Sequence, residues 1–415
     1  MSGLAIVGGD PVAPEGLETD WPIYDETDRA GIESVLESGR WCSAEYLFVD
    51  GQSHVSQFEA EFAAYIGTTH ATAVPNGTQA LQLAFRAIGV EPGDEVIVPA
   101  VTFVASASAV VLEGGTPVFV DVDPETYQLS PDAVAAAITD RTKAIEVVHY
   151  AGYPADMDRI IDIATEHDLY VIEDAAEAHG TEWRGERVGS IGDIGCFSLQ
   201  LGKSLTCGEG GVLTYEGGEL ADAIYTHTNL GRPPGGGPYD HVIPAGNYRL
   251  SEFLGALSLA QLARLDEQTD RRDAHGRYFA EQVSEIDGLA PLKADERITK
   301  RGYYFCFLRY DASRWGGRSR KAFRAALAAE GIDTTTAHNE PLYHYPAFAM
   351  QEDGDASGRS DHHHAACPTA ERIYREEVIA LSKDILLERS TVETVVAALE
   401  KLRTHANDIP EVDEQ

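Results

Sequence analysis

Glu95-Val96-Ile97-Val98-Pro99-Ala100-Val101-Thr102-Phe103 is followed, after a stretch of small residues, by Pro117-Val118-Phe119-Val120-Asp121-Val122. Both are short apolar runs, and residues 103–112 between them read as a helix. Working outward, further apolar runs at 71–74, 144–148 and 170–173 alternate with helical stretches at 78–88, 131–138 and 156–166. Such alternation predicts an α/β fold with right-handed crossovers, a mostly parallel sheet and helices on both faces. Ligands of such sheets sit where the strands' carboxyl ends meet helix amino ends.

Towards the start, residues 1–25 read as a Gly- and Pro-rich arm, and Asp28 to Ser38 as a helix that Gly39 ends. Val55, Phe58, Phe62 and Ile66 recur at helical spacing, with Ser56 and Glu59 placed as a capping box. Towards the end, a longer helical stretch over 251–286 carries Leu254, Leu257, Leu262 and Leu265 and reads as the bridge to a second domain. Tyr303 to Arg309 reads as a strand and Ser319 to Glu330 as a helix. A last helix from Thr391 buries Val392, Val395, Val396, Leu399 and Leu402, with Ser390 and Glu393 as another capping box. The expected divisions are an arm (1–25), a large domain (26–275), a smaller α+β domain (276–405) and a frayed acidic tail (404–415, disordered from 406).

Composition narrows the function. The 415 residues include 68 acidic and 32 basic ones, for a net charge of −36, and only seven of the basic residues are lysines. Such a charge strains the compact state by self-repulsion, a strain that salt relieves. It suits a salty cytoplasm and repels nucleic acid. Cys42, Cys196, Cys207, Cys306 and Cys367 are an odd, scattered set, neither a disulfide framework nor a zinc pattern. No signal peptide and no run of 18 apolar residues are present, so a cytoplasmic location and no membrane span are expected. His362-His363-His364 lie in a polar stretch without paired ligand spacing and read as a solvated loop, so no metal site is expected.

Chemistry concentrates on Lys203. An apolar run ends at Ser198, Lys203 follows, and then comes Gly208-Glu209-Gly210-Gly211. Its neighbours are small, polar or apolar, so an ammonium there would be poorly solvated. Desolvation favours the neutral amine, which can attack a carbonyl. Lys203 therefore reads either as the carrier of an aldehyde cofactor or as a surface lysine. Asn76-Gly77-Thr78 opens a helix after a strand, as a phosphate cradle or as an ordinary turn. Asp174 ends a strand, where it could pair with a protonated ring nitrogen or cap a turn. Phe103 could stack on a flat heterocycle or join the core. Ser198 could add a hydroxyl to a phosphate.

In order and together, these pieces resemble the DegT/DnrJ/EryC1/StrS family of aminotransferases that use pyridoxal 5′-phosphate (PLP) and act mainly on keto-sugars and keto-cyclitols. The matching stretches are Asn76 to Leu81, Pro99 to Phe103, Pro117 to Val122, Glu173 to Gly180, Gly192 to Gly211, and Asn247-Tyr248-Arg249. The resemblance implies the PLP-dependent transferase fold type I, with a large domain and a smaller C-terminal one. Lys203 looks like the Schiff-base lysine and general base, and Asp174 like the partner of the pyridinium. Phe103 matches the ring-stacking aromatic, and Gly77, Thr78 and Ser198 match phosphate contacts. Asn247 matches a residue lent by the partner subunit, which implies a homodimer with its active site at the interface. Glu177 stands where many members have Gln or His near the ring hydroxyl. Lysine at 203, where sugar dehydratases of this fold carry histidine, argues for amino transfer.

Such an enzyme takes an amino group from a small-molecule donor and gives it to a keto acceptor. Arg249, beside Asn247, is the candidate for the donor's carboxylate or else a structural ion pair. The phrases Gln200 to Glu209 and Cys367 to Arg372 look most like the branch that uses glutamine with scyllo-inosose-type cyclitols or aminoshikimate-type rings. A nucleotide-linked keto-sugar aminotransferase using glutamate, or a non-catalytic binding protein on the same fold, are the alternatives.

Overall fold

The computed structural model describes residues 3–17, 20–44, 53–237, 239–337, 340–348 and 366–412. Strands β1 (His70–Val74), β2 (Glu95–Pro99), β3 (Thr116–Val120), β4 (Thr142–Val148) and β5 (Tyr170–Asp174) are followed by a short hairpin, β6 (Glu182–Trp183) and β7 (Glu186–Arg187). Next come β8 (Ile194–Ser198) and β9 (Gly211–Tyr215). The main sheet runs β1-β9-β8-β5-β4-β2-β3, and only β9 is antiparallel to its neighbours. The expected α/β fold with a mostly parallel sheet is therefore present. Its central strands are buried on both faces, which is why they read as unbroken apolar runs.

Helices α1 (Glu26–Ser38), α2 (His54–Ile66), α3 (Gly77–Ala87), α4 (Ala105–Leu112), α5 (Pro131–Ala137), α6 (Met157–His167) and α7 (Glu219–Thr228) accompany this sheet. Gly39 ends α1 with a left-handed φ of 65°. The cap of α2 differs from expectation. Ser53, not Ser56, is the N-cap and accepts from the Ser56 amide at 3.1 Å, while Glu59 instead accepts from the Ala73 amide on β1.

The stretch expected as one helix over 251–286 is two, α8 (Glu252–Leu262) and α9 (Leu265–Ser284). At the break, Arg264 turns towards α1 and pairs with Asp28 at 2.7 Å, and Gln261 bonds the same carboxylate at 2.9 Å. The boundary expected at 275 falls inside continuous α9. This helix starts in one apolar cluster at Leu265 and reaches another at Phe279 and Val283.

That second cluster is built by α10 (Arg320–Ala329), α12 (Arg389–Thr404) and the sheet β10 (Leu289–Ala290), β12 (Phe305–Tyr310), β13 (Val378–Ser382). Between them lie β11 (Ile298–Lys300), which joins the β6–β7 hairpin, and α11 (Pro368–Arg372). The capping box expected at Ser390 is absent: Glu388 is the N-cap of α12, and Glu393 pairs with Arg389. The described part of the tail expected to fray from 404 instead packs, for Ala406–Asp408 make a 3₁₀ turn and Ile409 is fully buried in the same apolar cluster as Leu4 of the arm, while residues 413–415 lie outside the described residues. His362-His363-His364 lie outside the described residues.

Candidate active site

The carboxyl ends of β1, β2, β4, β5 and β8 open onto one cavity of about 820 Å³. At one end α3 begins. Asn76 caps it, its Oδ1 accepting from the Gln79 amide at 2.9 Å, and the earliest amides of any helix lack partners within it. Two glycines make the close approach possible. A Cβ on Gly77 would lie 2.9 Å from the Ser198 Cβ, and one on Gly211 would lie 2.5 Å from the Asn76 carbonyl. Gly77, Thr78 and Ser198 thus gather small groups and hydroxyls at a helix start, a cradle fit for a phosphate.

Across the cavity Asp174 ends β5. Its carboxylate accepts from the Ser106 hydroxyl and from the Ala176 amide, each at 3.1 Å. Burial pushes this carboxyl above its ordinary value, against the pull of the Ala176 amide and the Lys203 charge. A protonated ring nitrogen beside it would favour the charged form. On the opposite face of β5, Glu173 takes up the Gly189, Ile191 and Gly192 amides and pairs with buried His149 at 2.9 Å. That pair anchors the strand.

Lys203 projects from the loop between β8 and β9, which closes through the Leu201 amide to Gly208 and the Leu199 amide to Gly210. Its amine lies 3.5 Å from Glu177 Oε1 and 4.1 Å from the centre of the Tyr304 ring, with the side chain 12% exposed. The expectation of an amine without charged neighbours is corrected here. Glu177, distant in sequence, supplies a counter-charge, and its other oxygen is fixed by the Ala151 amide at 2.9 Å. Phe103 precedes α4, which starts at Ala105 rather than at 103, and leaves its ring 53% exposed on the cavity wall.

Gly77, Thr78, Phe103, Asp174, Glu177, Ser198 and Lys203 therefore share one cavity, and their groups fit PLP: small groups for its phosphate, an amine for its aldehyde, a carboxylate for its ring nitrogen and a flat ring for its face. Asn247 and Arg249 do not join them. Asn247 is exposed, and Arg249 donates to Asn229 Oδ1 at 2.9 Å in a separate pocket with Tyr225 and Arg232. Sequence reasoning missed Tyr304, Gln200 and Glu209 on the cavity wall. Tyr304 stood inside a run read as a strand, where an aromatic signals core. Among the described residues no group of three His, Cys, Asp or Glu could hold a metal, no helix is long and apolar enough to cross a membrane, and the five cysteines form no disulfide.

The profile of the DegT/DnrJ/EryC1/StrS aminotransferase family matches residues 23–400. The chain is 44% identical over 291 residues to 3-amino-5-hydroxybenzoate synthase of Amycolatopsis mediterranei, covering 70% of this chain and 74% of that protein. It is 36% identical to L-glutamine:scyllo-inosose aminotransferase of Streptomyces griseus, over 98% and 99% of the two chains. The crystal structure of 3-amino-5-hydroxybenzoic acid synthase superposes with a TM-score of 0.80 at 37% identity, covering 93% of this chain and 99% of the other.

Proposed function

We propose, for a chain that belongs to the DegT/DnrJ/EryC1/StrS family of PLP-dependent sugar and cyclitol aminotransferases, that Lys203 carries the cofactor's aldehyde carbon and serves as the general base. The observation behind this is the placement of the Lys203 amine in one cavity with Asp174 and the Gly77–Ser198 cradle. When bound, PLP supplies an aldehyde that holds the amino group and a ring that takes up the electron pair left by a departing proton. Asp174 holds the ring nitrogen protonated. Gly77, Thr78 and Ser198 bind the phosphate, and Phe103 covers the ring face. Lys203 Nζ takes the proton from the donor's α-carbon, with Glu177 and the Tyr304 face orienting the amine. Asn247 and Arg249, outside this cavity, act in a partner subunit's site: Asn247 on its phosphate and Arg249 on the donor carboxylate. The working unit is then a homodimer.

The donor is glutamine and the acceptor a keto-cyclitol or related carbocyclic ketone. Two features support this choice. Of the relatives above, one is named for glutamine and scyllo-inosose, and the other for a carbocyclic product, 3-amino-5-hydroxybenzoate. Lys203 is also the one cation among the described residues lining the cavity, against Asp174, Glu177 and Glu209, which is a poor setting for a nucleotide diphosphate. Purified protein assayed with glutamine and glutamate against a panel of cyclic ketones and nucleotide-linked keto-sugars tests it. Turnover of a carbocyclic ketone with glutamine is expected. Turnover of a nucleotide-linked sugar with glutamate alone would replace this acceptor, and no turnover with a colourless protein would point to the non-catalytic alternative.

A further inference from the structure

Asn229 follows directly on α7 and lines a cavity of about 260 Å³ with Tyr225, Arg232 and Arg249, apart from the one that holds Lys203. Its Oδ1 accepts from Arg249 Nη1 at 2.9 Å and from Arg232 Nη2 at 3.2 Å. An amide oxygen has two lone pairs, and both are taken. Its Nδ2 donates to the Tyr225 hydroxyl at 3.1 Å, which fixes the way the amide faces. The backbone holds the same place. Asn229 bridges Asn247, and the Leu230 amide donates to the Gly246 carbonyl and the Tyr248 amide to the Thr228 carbonyl, each at 3.0 Å. Leu230 and Gly231 follow with φ of 59° and 78°. A left-handed leucine is strained, and such strain gathers where side chains must be aimed.

Two guanidinium groups thus meet on one neutral atom. Like charges so held repel, and neither meets a carboxylate within ion-pair distance among the described residues. Elsewhere in this acidic chain, arginines such as Arg264 and Arg297 meet carboxylates at 2.7 and 2.6 Å. An aspartate at 229 would accept the same two hydrogen bonds and neutralise the pair. The amide aligns the two groups and leaves their charge for something else. Guanidinium forks beside each other suit a carboxylate, which either can bind in bidentate fashion.

We propose that Asn229 is a positioning residue that holds Arg232 beside Arg249, uncompensated, as a two-guanidinium receptor for the amino donor's carboxylate. This rests on the reading above that Arg249 meets that carboxylate in a partner subunit's site. The test mixes PLP-loaded wild-type, Asn229→Asp, Arg232→Ala and Arg249→Ala proteins with L-glutamine or L-glutamate, whichever the wild type takes. Each is also mixed with the α-carboxamide of that donor, which keeps the amine and lacks the α-carboxylate. Bleaching of the cofactor's colour gives a limiting rate and a half-saturating concentration, and urea unfolding gives stability.

Asn229→Asp is expected to raise the half-saturating donor concentration by roughly tenfold or more, with the limiting rate within about threefold, because a charged partner then competes for both guanidinium groups. It should resist urea at least as well as the wild type, since two ion pairs replace two hydrogen bonds to a neutral oxygen. Arg232→Ala should raise the same concentration roughly tenfold. With the carboxamide, all four proteins should react within about threefold of one another. A merely structural Asn229 would tolerate aspartate. An Asn229→Asp or Arg232→Ala protein that takes the donor as the wild type does, or one that loses as much with the carboxamide, would overturn the inference. Arg249→Ala separates the two levels. If it weakens the donor while Asn229→Asp and Arg232→Ala do not, only this inference falls; if it too is without effect, the Arg249 assignment falls.

Discussion

Replacing Gly77 by alanine probes the cradle by steric means alone. The new Cβ would lie 2.9 Å from the Ser198 Cβ and 3.2 Å from its Cα, whereas carbons rest at about 3.5–4.0 Å. The overlap of roughly 0.5–1 Å falls on β8, a fully buried strand paired on both sides to β5 and β9, which cannot give way as a surface side chain can. Overpacking of this kind costs about 1–3 kcal/mol. Alanine's better helix propensity returns at most about 1 kcal/mol, and less at the first position of a helix. The net expectation is a destabilisation of about 1–2 kcal/mol. The start of α3 is also displaced from Ser198, so PLP should bind roughly tenfold more weakly or worse. Urea unfolding of the cofactor-free protein and a PLP titration measure the two effects. Gly217→Ala is the control, since its Cβ would meet nothing closer than 3.5 Å. A Gly77→Ala protein as stable as the Gly217→Ala protein, with unchanged PLP affinity, would refute the steric reasoning.

Three further outcomes follow from the same geometry. Phe103→Ala removes a half-exposed ring, so it should weaken PLP by about three- to tenfold, measured by titration, with little change in unfolding free energy. His179 is fully buried, and burial above all, with like charge from Lys203, Arg272 and Lys383, pushes its pKa down to about 3. The unfolded chain therefore holds the extra proton between about pH 3 and 6.5, and stability falls as pH drops below 6.5 by up to about 1.4 kcal/mol per unit. A His179→Gln protein followed by urea unfolding from pH 7 to 5 should lose that slope. Finally, a net charge of −36 should make the melting temperature rise from low to molar salt, and a steady fall in a thermal scan would remove the self-repulsion argument.

The large sheet was legible because β2, β4 and β5 are apolar runs capped by turns, which is how strands covered on both faces look. Strand β9, Gly-Val-Leu-Thr-Tyr behind a glycine-rich turn, escaped notice, and so did strands of two or three residues such as β6 and β10, too short to carry a period. Both expected capping boxes failed for one reason: a serine three residues before a glutamate cannot show where the preceding backbone turns, and at α2 Ser53 held the better place. Most site residues were legible because they stand at element ends, Gly77 before a helix and Asp174 and Ser198 closing strands. Tyr304 was not: it read as a core aromatic, because its meaning comes from a contact across the fold, to Lys203.

The most direct measurement is to load the protein with PLP, reduce it with borohydride and locate the pyridoxyl group by mass spectrometry of the digest. The chief competitor is Lys383, a second buried amine beside Trp21 whose pKa burial pushes down to about 8. One adduct, on the peptide bearing Lys203, is the expected result. An adduct on Lys383 or another lysine, or none at all in a protein that binds PLP, would contradict the assignment of Lys203.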